Sequence, residues 1–184
     1  MRIAVLAFAL PAAACAPAPE TPAQRIEESA YVTVGGIEQL ITIRGDDTRK
    51  PVLLLVHGGP GDAQSFFIEA YAPYERDFVL VQWDQRGAGR RFEKLGPATP
   101  DLTLEQQVND GIDLAQQLRK RFPKNDLIVL GHSWGSVIAT GMVQKQPALF
   151  DAYVGTGQVA TWEAGVLWQF DFLKERARAT DDTS

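Results

Sequence analysis

The segment that is most informative about the fold is residues 126–136, which read DLIVLGHSWGS. Its first half is a short apolar run rich in branched side chains, which is typical of a buried parallel strand. The second half has the pattern G-x-S-x-G, with a glycine two positions before and two positions after Ser133. This spacing suits a sharp strand-to-helix turn that leaves little room for side chains on its flanks. The pattern predicts a strand, then Ser133 at the turn, then a helix.

The helix is expected to run from Trp134 to about Gln146, and Pro147 ends it because proline cannot continue a helix. The N–H groups and the dipole at a helix N-terminus favour developing negative charge. Ser133 is therefore a candidate catalytic nucleophile, and the backbone N–H of Trp134 is a candidate donor to an oxyanion.

A second motif follows the continuous apolar run of residues 51–56, PVLLLV, which predicts a strand buried on both faces. Residues 57–61 then read HGGPG. Glycines allow the backbone to approach a ligand closely and to turn with positive φ. Hydrolases with a G-x-S-x-G turn take their second oxyanion donor from such a loop. We assign this donor to the N–H of Gly59, with Gly58 as the alternative.

A third motif, DQRGAGRR at residues 84–91, follows another apolar run at residues 78–83. Asp84 and Arg86 are expected at the carboxyl edge of the sheet, where α/β proteins place their sites. We interpret them as an Asp–Arg pair that braces the loops of the site rather than as catalytic groups.

Together these three segments resemble the α/β-hydrolase superfamily, and within it the proline iminopeptidase-like branch. Members of that branch carry HGGPG, DQRGxGxS and GxSWGx in this order. The resemblance covers about residues 27–180 and departs from the pattern at Arg91, where the branch usually has a small hydroxyl residue. It implies an α/β-hydrolase fold, with a mostly parallel sheet and helices on both faces.

The resemblance also implies a function. The branch hydrolyses an ester or amide, most typically to release the N-terminal residue of a small peptide, with a triad in the chain order serine, acid, histidine. It implies a supporting role for His57 and Gly58 in the oxyanion loop. Other esterase-like hydrolases of the superfamily remain the alternative.

The histidines pose a difficulty for this function. The sequence has two, His57 and His132, and neither follows Ser133. His57 opens the oxyanion loop, and His132 is the immediate neighbour of Ser133, so its side chain is expected to point elsewhere. We therefore assign no triad acid or base, and we expect a chain truncated before its last strands and most of its cap, with little turnover. Two alternatives stay open: an enzyme with an unusual base, and a non-catalytic binding protein on a decayed hydrolase scaffold.

The N-terminus predicts export. Residues 1–15 combine a positive charge, a short apolar stretch and small residues, which is typical of a signal peptide. Cys15, the only cysteine, follows the small residues as in a bacterial lipoprotein signal. Residues 16–26 then form an Ala/Pro-rich linker to a hydrolase domain at 27–184. We expect a periplasmic or membrane-anchored protein, and mass spectrometry that finds Cys15 without lipid would refute the tether.

The composition of the sequence limits the classes of partner that the protein is expected to bind. The formal net charge of −5 argues against nucleic-acid binding as a main role. With one cysteine and no histidine pair at ligand spacing, we expect no metal and no cofactor. The expected partner is a small peptide or ester substrate, and the oligomeric state is left open.

The remaining patterns predict the supporting elements. Residues 31–34 and 39–43 flank Gly35-Gly36 as a hairpin, residues 64–74 form a helix, and residues 152–159 form a strand. Thr103 and Gln106 form a capping box for a helix that ends near Phe122. Its expected apolar face consists of Leu104, Val108, Ile112, Ala115 and Leu118. Residues 161–179 are expected to form a core helix that packs on the sheet, with an apolar stripe of Trp162, Val166, Phe170, Leu173 and Ala177.

Overall fold

The computed structural model describes residues 22–89, 92 and 96–180. The expected export signal, Cys15 and Arg91 lie outside the described residues, and the statements made about them stay predictions. Among the helices of the described part, none is long and apolar enough to cross a membrane.

A sheet of six strands organises the described residues, in the order β1-β2-β4-β3-β5-β6. β1 pairs with β2 and β2 pairs with β4 in antiparallel fashion, whereas β4, β3, β5 and β6 are mutually parallel. The strands are β1 (Ile26–Val34), β2 (Ile37–Gly45), β3 (Val52–Val56), β4 (Val79–Trp83), β5 (Leu127–His132) and β6 (Ala152–Thr156). All four parallel strands therefore end at one edge of the sheet, where the predicted loops meet.

The predicted hairpin is confirmed. Val34 pairs with Ile37 at the end of the β1–β2 ladder, so the turn has only Gly35 and Gly36 between the strands. Both glycines have positive φ, at 55° and 81°, as a two-residue primed turn requires.

Two α-helices cover one face of the sheet. They are α1 (Leu104–Arg121) and α2 (Trp134–Lys145). Their apolar side chains form the main core with the inward residues of the parallel strands. The core includes Leu54, Val56, Val81, Val129, Val108, Leu114, Leu118, Ile138 and Met142.

The opposite face is covered by the 3-10 helical segment Ser65–Arg76. Leu53, Leu55 and Leu80 are buried there against Tyr71 and Phe78. Helices thus lie on both faces of a mostly parallel sheet, and the predicted fold is confirmed.

Helix α1 differs from its predicted form in two ways. Thr103 is the N-cap as expected, because its side chain accepts a hydrogen bond from the Gln106 N–H at 3.1 Å. The Gln106 side chain does not complete a capping box but donates to Asp110 Oδ1 at 2.7 Å. The predicted apolar face was also partly wrong, since Leu104 is exposed while the polar residues Gln107 and Asp110 are buried. Asp110 is buried because charged and amide partners surround it, which an apolar pattern cannot reveal.

The last helix, α3 (Trp162–Thr180), does not pack on the sheet, and that prediction was wrong. Its large apolar side chains are exposed, and the aromatic rings of Trp168 and Phe172 stack on each other with centroids 5.4 Å apart. The exposed side chains on α3 are Val166, Leu167, Trp168, Phe170, Phe172 and Leu173.

Strand β6 is shorter than predicted because the chain turns at Gly157, which has φ 56°.

Candidate active site

Ser133 lies in the one-residue turn between β5 and α2, as the sequence predicts. Its backbone has φ 50° and ψ −121°, a region of φ/ψ space that residues other than glycine rarely adopt. Hydrogen bonds hold this strained turn. The Ser133 N–H donates to the carbonyl of Thr156 at 2.9 Å, and the Ser133 carbonyl accepts from the Ser136 hydroxyl at 2.6 Å. A strained residue held by its surroundings is typical of a functional position.

The two flanking glycines are required by close packing. A Cβ on Gly135 would lie 2.0 Å from the Val56 carbonyl oxygen, and a Cβ on Gly131 would lie 2.6 Å from the Gly135 carbonyl oxygen. No side chain fits at either distance. The first turn of α2 therefore lies directly against the end of β3, and this contact brings the two glycine motifs together.

The HGGPG loop contacts the candidate nucleophile. A Cβ built on Gly58 would lie 3.2 Å from Ser133 Cβ, so the loop backbone passes beside the serine. Gly59 has φ 121°, and a Cβ there would lie 2.7 Å from the Gly61 nitrogen, so only glycine suits the position. Trp134 is the first residue of α2. The segments that carry both assigned oxyanion donors thus meet at Ser133.

His57 is a structural group of this loop. Its side chain is buried, donates from Nδ1 to the Gly58 carbonyl at 2.8 Å, and accepts at Nε2 from the Gln85 N–H at 3.1 Å. Burial lowers the pKa of the imidazole, which favours the neutral form that these two bonds need. Both ring nitrogens are occupied, so His57 supports the loop and does not face the serine as a base.

Gln85 is a further residue of the site, and the sequence motifs did not indicate a role for it. Besides its backbone bond to the His57 ring, its side-chain Nε2 donates to the His57 carbonyl at 2.9 Å. It is buried, although glutamine is usually a surface residue. The two bonds tie the loop after β4 to the oxyanion loop. The available signal was the position of Gln85 two residues after the buried strand β4, between Asp84 and Arg86.

His132 turns towards the neighbouring strand. Its Nδ1 lies 3.0 Å from Thr156 Oγ1, at the end of β6. The same strand end accepts the Ser133 N–H. His132 and Thr156 also line a cavity of about 260 Å³ on the face of the sheet opposite α1 and α2.

Arg86 braces the site with a different partner from the one expected. Its guanidinium forms a bidentate ion pair with Asp110 of α1, at 2.8 and 3.0 Å, and both side chains are buried. It also donates to the carbonyls of Gly35 and Pro100, at 2.8 and 3.1 Å. The expected Asp84–Arg86 pair is thus corrected to Arg86–Asp110. The prediction relied on closeness in sequence, whereas in the fold the Asp84 carboxylate contacts Ser65 and the Arg86 guanidinium contacts α1.

Asp84 performs its own bracing contact. Its Oδ2 accepts from the Ser65 hydroxyl at 2.8 Å, which ties the end of β4 to the start of the 3-10 segment after the oxyanion loop. Gly89 lies so close that a Cβ on it would be 2.1 Å from Asp84 Oδ2. Asp84 therefore links the end of β4 to the 3-10 segment, and Gly89 packs against its carboxylate.

A mostly parallel sheet, with a strained serine turn against a glycine-rich loop, defines the class of α/β hydrolases. The family model for serine aminopeptidases of the S33 type matches residues 47–179. The chain therefore belongs to this hydrolase family.

Two curated relatives are similar in sequence. The chain is 37% identical over 129 residues to YbaC of Bacillus subtilis (strain 168), which is named a probable aminopeptidase. It is 34% identical over 117 residues to a protein of Streptomyces coelicolor named a probable proline iminopeptidase. These alignments cover 70% and 64% of this chain, but 40% and 35% of the relatives.

A solved structure shows the same fold. It is a proline iminopeptidase-related protein from Thermus thermophilus, which superposes with a TM-score of 0.55 at 26% identity. The match covers 71% of this chain and 44% of that structure. The chain thus spans less than half the length of the relatives it matches.

Proposed function

We propose that this chain carries the nucleophile and the oxyanion site of a serine hydrolase that cleaves the amide bond after an N-terminal residue. The observation that carries the proposal is the strained Ser133 turn, with the Gly58 backbone packed beside it. Membership in the serine aminopeptidase family and the names of the two relatives support the peptide substrate.

The proposed chemistry is acyl transfer. Ser133 Oγ attacks the substrate carbonyl carbon, and the carbonyl oxygen becomes an oxyanion. The N–H groups of Gly59 and Trp134 stabilise that oxyanion, aided by the dipole of α2. The Ser133 hydroxyl proton passes to solvent as the new bond forms. The bond to the leaving nitrogen then breaks, that nitrogen takes a proton from solvent, and the acyl group remains on Ser133 as an ester. Water hydrolyses this ester and restores the serine.

We assign no acid and no base within the described residues. His57 has both ring nitrogens hydrogen-bonded, and His132 is directed to Thr156. An oxyanion site without its triad still accelerates acyl transfer over water by about 10³–10⁴-fold, which is several orders of magnitude below a full enzyme. These 184 residues are therefore expected to acylate slowly and turn over poorly.

The test uses slow acylation as its readout. The purified chain is incubated with p-nitrophenyl acetate or with proline p-nitroanilide, and the acyl group is located by intact mass and peptide mapping. We expect one acyl group on Ser133, and a drop of labelling to the buffer background in Ser133→Ala because the attacking oxygen is absent. The matched control is Ser29→Ala, since Ser29 is an exposed serine of β1 far from the turn in sequence.

Two results would contradict the proposal. Equal labelling of Ser133→Ala and the unchanged chain would mean that Ser133 is not the nucleophile. The second result has two parts: p-nitrophenyl acetate acylates this chain whereas proline p-nitroanilide does not, and a longer relative also fails to hydrolyse the anilide. Together these findings would favour an esterase over an aminopeptidase.

A further inference from the structure

Ser136 is a buried hydroxyl residue beside the nucleophile turn, and the proposed acyl transfer assigns no role to it. It is the third residue of α2 and is fully buried, with 0% of its surface exposed. Its Oγ donates to the Ser133 carbonyl at 2.6 Å and accepts from the Val159 N–H at 3.0 Å. A hydroxyl has one O–H to donate and lone pairs with which to accept. Ser136 therefore joins two backbone segments and has no contact with solvent.

The carbonyl that Ser136 holds belongs to the same peptide unit as the Trp134 N–H. A peptide unit is planar and trans, so its C=O and N–H point in opposite directions. The Ser136 backbone N–H also donates to the Ser133 carbonyl, at 2.9 Å. Two hydrogen bonds from one residue thus fix this carbonyl. They thereby set the direction of the Trp134 N–H, which is the assigned oxyanion donor of α2.

The bond to Val159 connects this peptide to residues 156–159, the segment that leads from β6 towards α3. The first residue of the segment, Thr156, accepts the Ser133 N–H at its carbonyl, and the last residue, Val159, donates to Ser136. Between them Gly157 has φ 56°, and a Cβ there would lie 3.7 Å from the Ser133 nitrogen. The 156–159 segment therefore packs along the nucleophile turn and is bonded to it at both ends.

These bonds matter because the backbone at Ser133 is strained. A residue in a sparsely populated φ/ψ region keeps that conformation only when its surroundings hold it. Hydrogen bonds in series also polarise one another, so a peptide whose carbonyl accepts a bond is a better donor at its N–H. Alanine at position 136 would remove one bond from the Ser133 carbonyl. It would also leave the N–H of the half-buried Val159 without its acceptor.

We propose that Ser136 is a positioning residue for the oxyanion donor. It orients the Trp134 N–H through the Ser133 carbonyl, and the 156–159 segment holds the Ser136 hydroxyl in the required direction. The proposal rests on the proposed function, because it takes the Trp134 N–H as an oxyanion donor. Ser136 acts through the peptide between Ser133 and Trp134 and not on the substrate.

The test combines a rate with a spectroscopic signature. Acylation of Ser133 by p-nitrophenyl acetate is followed by mass, and backbone amide signals are recorded on the ¹⁵N-labelled chain. We expect Ser136→Ala to acylate about tenfold or more slowly, since a small displacement of a catalytic group can cost up to about 10²-fold. We also expect the amide signals of Trp134 and Val159 to shift, and hydrogen exchange at Val159 to become faster. A general loss of stability would instead speed exchange throughout α2.

Two further variants separate hydrogen bonding from packing and from helix stability. Thr140→Ala removes another hydroxyl of α2 that donates to a backbone carbonyl, that of Ser136, at 2.7 Å. This control is expected to leave the acylation rate unchanged. Ser136→Cys keeps a side chain of similar size, but a thiol is a weak donor and a weak acceptor. We expect it to acylate as slowly as Ser136→Ala.

A pair of changes at Gly157 tests the 156–159 segment without altering the core. A β-branched residue rarely adopts a positive φ, whereas asparagine does so more readily. Gly157→Val is therefore expected to loosen the segment, to slow acylation and to shift the Trp134 amide signal. Gly157→Asn is expected to affect both less. Equal effects of the two variants would show that the backbone conformation of this segment does not act on the turn.

Three outcomes would overturn the role of Ser136. They are a normal acylation rate in Ser136→Ala, recovery of the full rate in Ser136→Cys, and a Trp134 amide signal that stays in place while that of Val159 moves. The proposed function fails separately. If the unchanged chain never acylates Ser133, the reaction is rejected, and a joint shift of the Trp134 and Val159 signals would still show that Ser136 orients this peptide.

Discussion

Gly135→Ala is expected to lower the free energy of unfolding by about 3 kcal/mol or more, a large part of the usual 5–15 kcal/mol of a domain. The added Cβ would lie 2.0 Å from the Val56 carbonyl oxygen and 2.5 Å from that of His57. These are backbone atoms of a buried strand end, so no side-chain rotation relieves the overlap. Helix α2 must move away from β3. Overpacking a core usually costs about 1–3 kcal/mol, and a clash with rigid backbone lies at or above that range.

Urea denaturation of the unchanged and variant chains measures this effect. Gly165→Ala is the matched control, because Gly165 is also helical and a Cβ there has nothing within 4 Å. Alanine has a higher helix propensity than glycine, so the control is expected to be neutral or slightly stabilising. Similar unfolding midpoints for the two variants would show that the contact between α2 and β3 is not rigid.

The Gly135 contact also bears on the site. The same first turn of α2 positions Trp134, and the same strand end leads into His57 and Gly58. A shift that relieves the overlap therefore separates the two assigned oxyanion donors. We expect Gly135→Ala to lose Ser133 acylation even at temperatures where it is still folded.

Asp110→Ala is expected to cost about 3–5 kcal/mol, the usual effect of removing one partner of a buried ion pair. The guanidinium of Arg86 is buried against Asp110, and both oxygens of this carboxylate are used. Asp110 also accepts from the side chains of Gln39 and Gln106, at 2.8 and 2.7 Å. Alanine would leave a buried positive charge and two amide donors without their acceptor.

The control for Asp110→Ala is Glu105→Ala on the same helix. Glu105 pairs with Lys145 at 3.3 Å, and both side chains are well exposed, so the pair is worth about 0–1 kcal/mol. Free energies of unfolding from urea titrations compare the two variants. Equal losses would mean that the Arg86–Asp110 pair contributes no more than a surface pair does. Asp110→Asn, which keeps one acceptor oxygen, is expected to lie between them.

The network around Asp110 extends into the core. Gln39 donates to Asp110 and accepts from the Trp83 indole at 2.8 Å, so β2, β4 and α1 are joined by polar contacts. These hydrogen bonds join buried atoms, and in a buried environment hydrogen bonds are strong and an unpaired polar group is costly. The loop that contains Arg86 is thus anchored to the core. The same loop carries Gln85, which is hydrogen-bonded to His57.

The sequence alone predicted the local parts of this molecule. The Ser133 turn, the Gly35-Gly36 hairpin and the Thr103 cap were all readable because each depends on residues within a few positions of one another. Glycine at a positive φ and a hydroxyl at a helix N-terminus are required by nearby backbone geometry. The three motifs also predicted the fold, because their order and spacing resemble those of one superfamily.

The contacts between groups that are distant in sequence became visible in the folded structure alone. Arg86 pairs with Asp110 rather than Asp84, Gln85 holds His57, and the apolar side chains of α3 lie on the surface. Polar pairs between different elements leave no periodic pattern in the sequence. An apolar stripe on a helix likewise does not indicate which element packs against it. Local backbone requirements therefore determined the nucleophile turn and its loop from sequence, whereas long-range packing determined the contacts that hold them in place.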